Sequence, residues 1–196
     1  MAKNHSTAYI LTGAPVRLSF PQLTTGKPHK TTGKLKFGAT LLIPKTDTAT
    51  LGQFKALIQE VLKVHAPNGP IPQKLGIRDG DLPNGNGNVQ PGFAGHWVVA
   101  CTGNFPTALY NAAAAKTIDE KAFYAGCWCY AQVNAFWFDV DNSRGVSFGL
   151  AAVQFARDDD RLGGGAPAPG FAPIAGAATA APGAAGTGDN LSDMFK

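Results

Sequence analysis

The clearest pattern in the sequence is an alternation of small apolar residues with rings and amides between residues 127 and 136. Successive side chains of a β-strand point to opposite faces, so the small apolar set suits the crowded interior of a small barrel. The rings and amides then face outward. The inward set is Cys127, Cys129, Ala131, Val133 and Ala135, and the outward set is Trp128, Tyr130, Gln132, Asn134 and Phe136.

A tight turn and a second strand follow this alternation. Residues 141–145 (DNSRG) are rich in turn-forming types, and Val146, Phe148 and Leu150 then resume a two-residue period. The sequence therefore predicts a β-hairpin within residues 123–155, around which the rest of the fold is organised.

Another strand is predicted near the N-terminus. Val16, Leu18 and Phe20 alternate with Arg17 and Ser19. The first three are therefore expected to face the core, and the proline that follows is expected to end the strand.

A basic, turn-rich loop at residues 24–34 leads into a strand whose outer face carries lysine. Such a strand is typical of a sheet that follows a phosphate backbone, but also of an exposed strand that lysine keeps soluble. The pattern leaves both interpretations open. The inward positions are Leu35, Phe37, Ala39, Leu41 and Ile43, and the outward positions are Lys34, Lys36 and Thr40.

One helix is predicted, and it is expected to cover an end of the barrel. Asp47 or Thr48 caps its N-terminus, apolar residues recur at helical spacing from residue 51 to 62, and the helix ends near His65. Beyond it, residues 67–95 are predicted to be mostly loop, and residues 96–102 to form a buried strand. A short helical turn is a candidate at residues 111–115.

The last part of the chain differs in composition from the rest. Residues 163–188 are almost wholly Gly, Ala and Pro, which bury too little apolar area to offset the entropy of ordering the chain. The sequence therefore predicts a domain at residues 1–162 and a disordered tail at 163–196. The tail has an acidic-hydrophobic tip that is either a partner-binding segment or a frayed end: Asp189, Leu191, Asp193, Met194 and Phe195.

Charge and cysteine usage narrow the class of protein. Residues 1–78 hold eleven Lys and Arg against two Asp and Glu, a net charge of +9, whereas residues 79–162 have a net charge of −4. This asymmetry indicates a surface that meets a polyanion, although a merely solvated basic face remains the alternative. An odd number of cysteines favours a reducing compartment. With no signal peptide or membrane span in evidence, a soluble, cytoplasmic protein is expected.

Catalytic and cofactor-binding motifs find little support. The glycine- and lysine-rich loop at residues 24–34 departs from the P-loop spacing, and neither a HExxH motif nor a nucleophile elbow occurs. A zinc site would need His96, Cys101, Cys127 and Cys129, but two of these cysteines are one residue apart in a strand, where buried thiols act as small hydrophobes. We therefore expect no enzymatic activity, no cofactor and no metal.

Nucleic-acid binding is the function on which several weak signals converge. Basic side chains neutralise phosphates, and rings on a strand face stack bases whatever their sequence. The candidate contacts are Arg17, Lys27, Lys30, Lys34, Lys36, Trp97, Phe105, Trp128, Tyr130, Gln132 and Asn134.

The sequence also resembles a phage single-stranded DNA-binding protein family, first known as a domain of unknown function. The resemblance covers most of residues 10–162. It implies an OB-fold, which is a five-stranded Greek-key barrel, followed by a long acidic tail. The segments that carry it are LLIPKTDTATL at 41–51, LGIRDGDL at 75–82, GHWVVACTGNFPTALY at 95–110, FYAGCWCYAQVNAFWF at 123–138 and GVSFGLAAVQFARDD at 145–159.

Together these observations predict a mainly β protein: a five-stranded OB-fold barrel with one covering α-helix and a disordered C-terminal tail. Its expected function is to bind single-stranded DNA and protect it during phage DNA replication or recombination, in the host cell cytoplasm. Replication or recombination proteins are the expected partners of the tail tip. The alternative is a phage structural or assembly protein whose aromatic face is a protein interface.

Overall fold

The computed structural model describes residues 6–30, 32–72, 74–84, 87–140 and 143–163. Within these ranges the chain forms one α-helix, one short 3₁₀ helix at Glu120–Ala122 and nine strands. In chain order the elements are β1 (Ile10–Leu11), β2 (Val16–Pro28), β3 (Leu35–Pro44), α1 (Thr48–His65), β4 (Ile77–Asp79), β5 (His96–Gly103), β6 (Ala108–Tyr110), β7 (Lys116–Thr117), β8 (Trp128–Val140) and β9 (Ser143–Arg157).

The five long strands close into a ring. β2 pairs with β3 and β3 with β5, both antiparallel, and β5 runs parallel to β9 where Cys101 meets Phe148. β9 pairs with β8, and β8 returns to β2 at Val16 and Arg17. Closing the ring leaves only the short strands at the edges of the sheet. The predicted mainly β barrel of five strands with one helix is therefore confirmed.

The hairpin of β8 and β9 has the predicted faces. The small apolar residues of β8 from Cys129 to Ala135 are 0% exposed and lie opposite the apolar residues of β9. Because these side chains are small, the strands can curve tightly around the core. The hairpin register runs to Val140 opposite Ser143, and residues 141–142 of the predicted turn lie outside the described residues.

Helix α1 covers the barrel as expected. Its N-cap is Asp47, whose carboxylate accepts a hydrogen bond of 2.9 Å from the backbone N–H of Thr50. This bond satisfies one of the N–H groups that a helix start leaves open. Phe54 then packs edge-on against Phe148 of β9, with ring centroids 5.2 Å apart.

The predicted course of β2 is wrong beyond Ser19. Phe20 has a φ of +46° and the register with β3 shifts between Ser19 and Gln22, so a bulge reverses the alternation. Ser19 is therefore buried, whereas Phe20 is 55% exposed rather than in the core. The strand also continues through the proline and into the predicted loop, ending at Pro28.

Residues 67–95 are mostly loop, as predicted, and contain one short strand, β4, which pairs with β5. Two smaller expectations need correction. Residues 111–115 form a tight turn between β6 and β7, in which the Asn111 side-chain oxygen accepts hydrogen bonds from the backbone of Ala113 and Ala115. Leu35, predicted to face inward, stands 49% exposed at the start of β3.

The tail is predicted at residues 163–196, and everything in it after Gly163, including the tip, lies outside the described residues. The boundary between domain and tail therefore stays a prediction. In the part of the chain that is described, no helix is both long and apolar enough to cross a membrane.

Candidate nucleic-acid interface

A continuous trough crosses the outer face of β5, and we call it the β5 trough. It consists of two depressions, of about 210 and 360 Å³, that share Ala100 and Thr102. The smaller depression lies between the bulge of β2 and the strands β3 and β5, and the larger lies between β4, β5 and the hairpin of β8 and β9. Aromatic, uncharged polar and basic side chains line the trough: Phe20, Gln22, Lys27, Lys36, Thr40, Lys74, Arg78, Phe138 and Ser147.

The floor of the β5 trough is made of small residues. Gly38 faces Thr102 across the β3–β5 pair, and Thr40 faces Ala100. Gly38 has a φ of +143°, and a Cβ there would lie 2.9 Å from the carbonyl carbon of Cys101 and 3.1 Å from the Cα of Thr102. Only glycine fits this approach, because a side chain there would collide with the backbone of β5.

Aromatic rings border the trough at both ends. Phe20 stands at one end and contacts the buried ring of Phe93 edge-on, with centroids 6.1 Å apart. Phe93 packs on Leu42 in a small cluster outside the barrel, so Phe20 has a rigid support. Phe138 of β8 borders the other end, beside β4.

The trough carries basic side chains at both ends. Lys27 and Lys36 are neighbours across the β2–β3 pair at one end, and Lys74 and Arg78 lie at the other. Polar groups rather than carboxylates hold two of these cations: Lys36 donates to the side-chain oxygen of Asn104 at 2.6 Å, and Lys74 to the hydroxyl of Ser143 at 2.8 Å. No carboxylate is among the described residues that line either depression.

Two acidic residues of the segment 79–162, Asp79 and Asp81, form ion pairs with Lys45, which does not line the trough. The ammonium group of Lys45 lies 2.6 Å from Asp79 and 2.5 Å from Asp81, and these hydrogen bonds lower the pKa of both carboxyl groups. The same ammonium lies 5.4 Å from the ring centroid of Trp97. Trp97 shares the core-facing side of β5 with Val99, so this candidate contact does not reach the trough.

Trp128 and Arg17, both predicted DNA contacts, are held by the segment that follows β9. The indole N–H of Trp128 donates to Asp159 at 2.6 Å, and the guanidinium of Arg157 lies 4.4 Å from the indole centroid. Arg17 donates to the backbone oxygens of Gly126 and Asp160 at 3.1 and 2.7 Å. The hydrogen bond from Trp128, with the two nearby guanidinium groups, lowers the pKa of Asp159.

Asn134 is the candidate that the structure removes from the surface. It is 6% exposed, and its amide donates to the hydroxyl of Ser6. Gly149 lies directly opposite and leaves room for the buried amide. Strand alternation placed Asn134 outward, but the N-terminal segment covers this part of β8.

The remaining candidates divide into two groups. Phe105, which is 80% exposed, follows directly on Asn104, the partner of Lys36, while Lys30 and Lys34 are exposed in the β2–β3 connection. Tyr130 and Gln132 lie on the outer surface of β8 and line neither depression of the trough. The trough lining therefore includes the predicted Lys27 and Lys36. It does not include Lys30, Lys34 or the predicted β8 rings, Trp128 and Tyr130.

Four rings and cations of the trough are not predicted as site residues from the sequence: Phe20, Lys74, Arg78 and Phe138. The two-residue period predicts Phe20 in the core, because such a pattern does not reveal a bulge. Lys74 and Arg78 lie in a segment interpreted as loop, although the segment 75–82 carries part of the family resemblance. Only the resemblance could have drawn attention to it.

Glu120 fixes the end of β2 next to Lys27. Its carboxylate accepts hydrogen bonds from the backbone N–H groups of Leu23 and Thr24, at 3.0 and 3.1 Å, and from the hydroxyls of Thr24 and Thr25. Burial alone would raise the pKa of Glu120, but these hydrogen bonds outweigh it and the pKa is lowered.

We expect Glu120→Gln to lower the free energy of unfolding by about 1 kcal/mol at pH 7, because amide oxygens accept these bonds less strongly. The pKa of Glu120 is lower in the folded state than in the unfolded state. The stability that its carboxylate contributes is therefore fully present above the unfolded-state pKa and is lost as the pH falls through the folded-state pKa. Urea unfolding between pH 7 and pH 3 should therefore show a flatter pH dependence in Glu120→Gln. Glu60→Gln, at an exposed position of α1, is the control and should leave the profile unchanged.

The three cysteines behave as core residues. Cys101, Cys127 and Cys129 are buried, and burial raises the pKa of all three thiols, that of Cys127 to about 11. In the described ranges no three His, Cys, Asp or Glu side chains are grouped so as to hold a metal ion.

Fold and site together define an OB-fold protein with a basic, ring-bordered trough across its sheet. The chain belongs to the family described as Enterobacter phage Enc34, ssDNA-binding protein, whose model matches residues 8–175. It is 31% identical over 161 residues to "Putative protein p50" of Acyrthosiphon pisum secondary endosymbiont phage 1, covering 76% of this chain and 84% of that protein.

Solved structures show the same fold. The single-stranded DNA-binding protein from bacteriophage Enc34 is 25% identical, with a TM-score of 0.65, over 82% of this chain and 87% of that one. Its complex with ssDNA matches with a TM-score of 0.69 at 23% identity, over 80% and 90% of the two chains. The predicted family and the OB-fold are confirmed.

Proposed function

We propose that this protein binds single-stranded DNA, without strong sequence preference, along the β5 trough. The observation that carries the proposal is the composition of the trough: a ring at each end, four cations along it and no carboxylate among its described lining residues. Membership of the phage ssDNA-binding family supports the same ligand.

The cations hold the phosphates. Lys27 and Lys36 at one end, and Lys74 and Arg78 at the other, neutralise phosphate charge and release the counterions that surround a nucleic-acid strand. Because no carboxylate competes for these groups in the lining, the field along the trough has one sign, which attracts the strand before contact.

The rings hold the bases. Phe20 and Phe138 present aromatic faces at the two ends of the trough, with Phe105 exposed near the lysine end. Every base has a face that can stack on a ring, so stacking discriminates little among sequences. Directed readout needs fixed side-chain donors and acceptors, and the floor at Gly38, Ala100 and Thr102 offers few.

The biological role that fits this chemistry is protection of exposed single strands during phage DNA replication or recombination. Binding of this kind needs no catalytic group and no cofactor. The tail tip at residues 189–195 remains the predicted segment for contacts with replication or recombination proteins.

The proposal is tested by fluorescence polarisation of a labelled poly-dT oligonucleotide at two salt concentrations, with a matched duplex alongside. We expect tight binding to the single strand, weaker binding to the duplex, and an affinity that falls steeply with salt. Each phosphate contact contributes about −0.7 to the log–log slope on single strands.

If the protein did not bind the single strand even at low salt, the proposal would be overturned. That result would also favour the alternative of a phage structural protein, whose aromatic interface would show no such slope. Equal binding to both forms of DNA would keep the phosphate contacts but remove the role assigned to the rings.

A further inference from the structure

A second surface of the barrel carries rings that the β5 trough does not use. Cross-strand register places Tyr130 of β8 opposite Gln154 of β9, Gln154 opposite Tyr110 of β6, and Tyr110 opposite Lys116 of β7. Four strands thus contribute one row of side chains. Gln132 extends the surface along β8, and we call these five residues the tyrosine platform.

The platform lies on the outer face of the sheet. The neighbouring row, Ala131, Val153 and Leu109, is buried in the core, so the tyrosine row must point the other way. Both tyrosines are partly buried. Neither tyrosine hydroxyl makes a hydrogen bond to another described residue.

The surroundings of the platform are small and uncharged or basic. Ala152 and Ala108 form the next outward row beside Gln132, which leaves space above the sheet between the rings. The charged outward residues on these strands are Lys116 and, next to Trp128, Arg157, whose guanidinium lies 3.8 Å from the carboxylate of Asp159. None of the described outward positions in this part of β6, β7, β8 and β9 is a carboxylate.

The rings and amides of the platform are better suited to contact unpaired nucleobases than to remain exposed to solvent. Tyr130 and Tyr110 are two strand spacings apart, about 10 Å, so each can stack one base while Gln154 lies between them. The exposed amide of Gln132 can donate to and accept from base edges. The side-chain nitrogen of Gln154 donates to the backbone oxygen of Ala112 at 3.3 Å, which leaves its side-chain oxygen as an acceptor. Lys116 is placed for a phosphate at the edge of the row.

We propose that the tyrosine platform is a second binding site for single-stranded nucleic acid, separate from the β5 trough. It shares no residue with the trough and is built on different strand pairs. One copy of the protein therefore holds two segments of single strand. The inference takes its ligand class from the proposed function but assigns it a site of its own.

The test counts the short oligonucleotides that one full-length chain binds. A dT oligonucleotide too short to span both surfaces is titrated by calorimetry, and sedimentation establishes the oligomeric state in parallel. We expect two sites of unequal affinity on a chain that stays monomeric. Tyr110→Ala with Tyr130→Ala should raise the Kd of one site about tenfold or more and leave the other unchanged.

Two further variants keep the test decisive. Tyr110→Phe with Tyr130→Phe keeps the rings and should retain both sites, even if the alanine variant does not fold. Tyr9→Ala, at an exposed ring outside the platform, should also leave both sites intact. Thermal unfolding confirms that each variant is folded.

The outcomes separate this inference from the proposed function. One tight site in the wild type, unaffected by the platform variants, would overturn the second site and leave the trough in place. No binding at either site would overturn the trough proposal as well. A dimer in the wild type that the tyrosine variants dissociate would mean that a second copy of the chain occupies this face, which also overturns the inference.

Discussion

Replacing Lys27, Lys36 and Lys74 together by alanine is expected to weaken binding to poly-dT about a hundredfold at 0.1 M salt. Each lysine that contacts a phosphate contributes about 0.7 to the salt exponent on single strands, so three contacts contribute about 2. Counterion release contributes nothing at 1 M salt, and 0.1 M is tenfold lower, so an exponent of about 2 corresponds to about a hundredfold in affinity. The same variant should therefore show a salt slope that is less steep by about 2.

A matched control removes the same charge elsewhere. Lys55, Lys63 and Lys121 are exposed and none of them lines the trough. The alanine triple at these positions should change the affinity and the slope far less, since only the general field of the protein is altered. Equal losses in the two triples would show that net charge, and not the β5 trough, attracts the strand.

The parts of the fold that the sequence predicts well are those with local and repeated signals. The β8–β9 hairpin follows from a two-residue period, and α1 follows from a helical period with a capping aspartate. In both cases the pattern and the packing agree: the inward residues of β8 are fully buried, and Asp47 accepts the expected N–H of Thr50. Local periodicity is sufficient there because one face is wholly apolar.

The candidate site was less predictable, because its geometry depends on single residues that break the period. The positive φ of Phe20 moves its ring from the core to the border of the trough, and nothing in the alternation of β2 signals it. Strand β4 has only three residues, too few for a period, yet it leads to the Lys74 and Arg78 end of the trough.

Candidates that the structure holds elsewhere have partners far away in the sequence. Trp128 donates to Asp159, 31 residues later, and Asn134 to Ser6, 128 residues earlier. Alternation indicates which face of a strand a residue occupies, but not whether another segment covers that face. The sequence therefore predicts the kinds of side chain found in the candidate interface, lysines and rings, better than it predicts which residues supply them.

Gly38→Ala is expected to have the largest effect on stability, a loss of about 3 kcal/mol or more in the free energy of unfolding. The new Cβ would meet the backbone of Cys101 and Thr102 on β5, which cannot move without breaking the β3–β5 pairing. The φ of +143° adds strain for any residue with a side chain. Such a loss lowers the melting temperature by roughly 6–12 °C for a domain of this size.

The control is the same substitution at Gly52, on the exposed face of α1. A Cβ there has nothing within 4 Å, and alanine is favoured over glycine in a helix interior, so Gly52→Ala should stabilise the protein by about 0.5–1 kcal/mol. Urea unfolding of both variants compares one added methyl group in two environments. If Gly38→Ala were as stable as the wild type, β3 and β5 would not approach as closely as the floor of the trough requires. The floor of the β5 trough would then not depend on the missing side chain of Gly38.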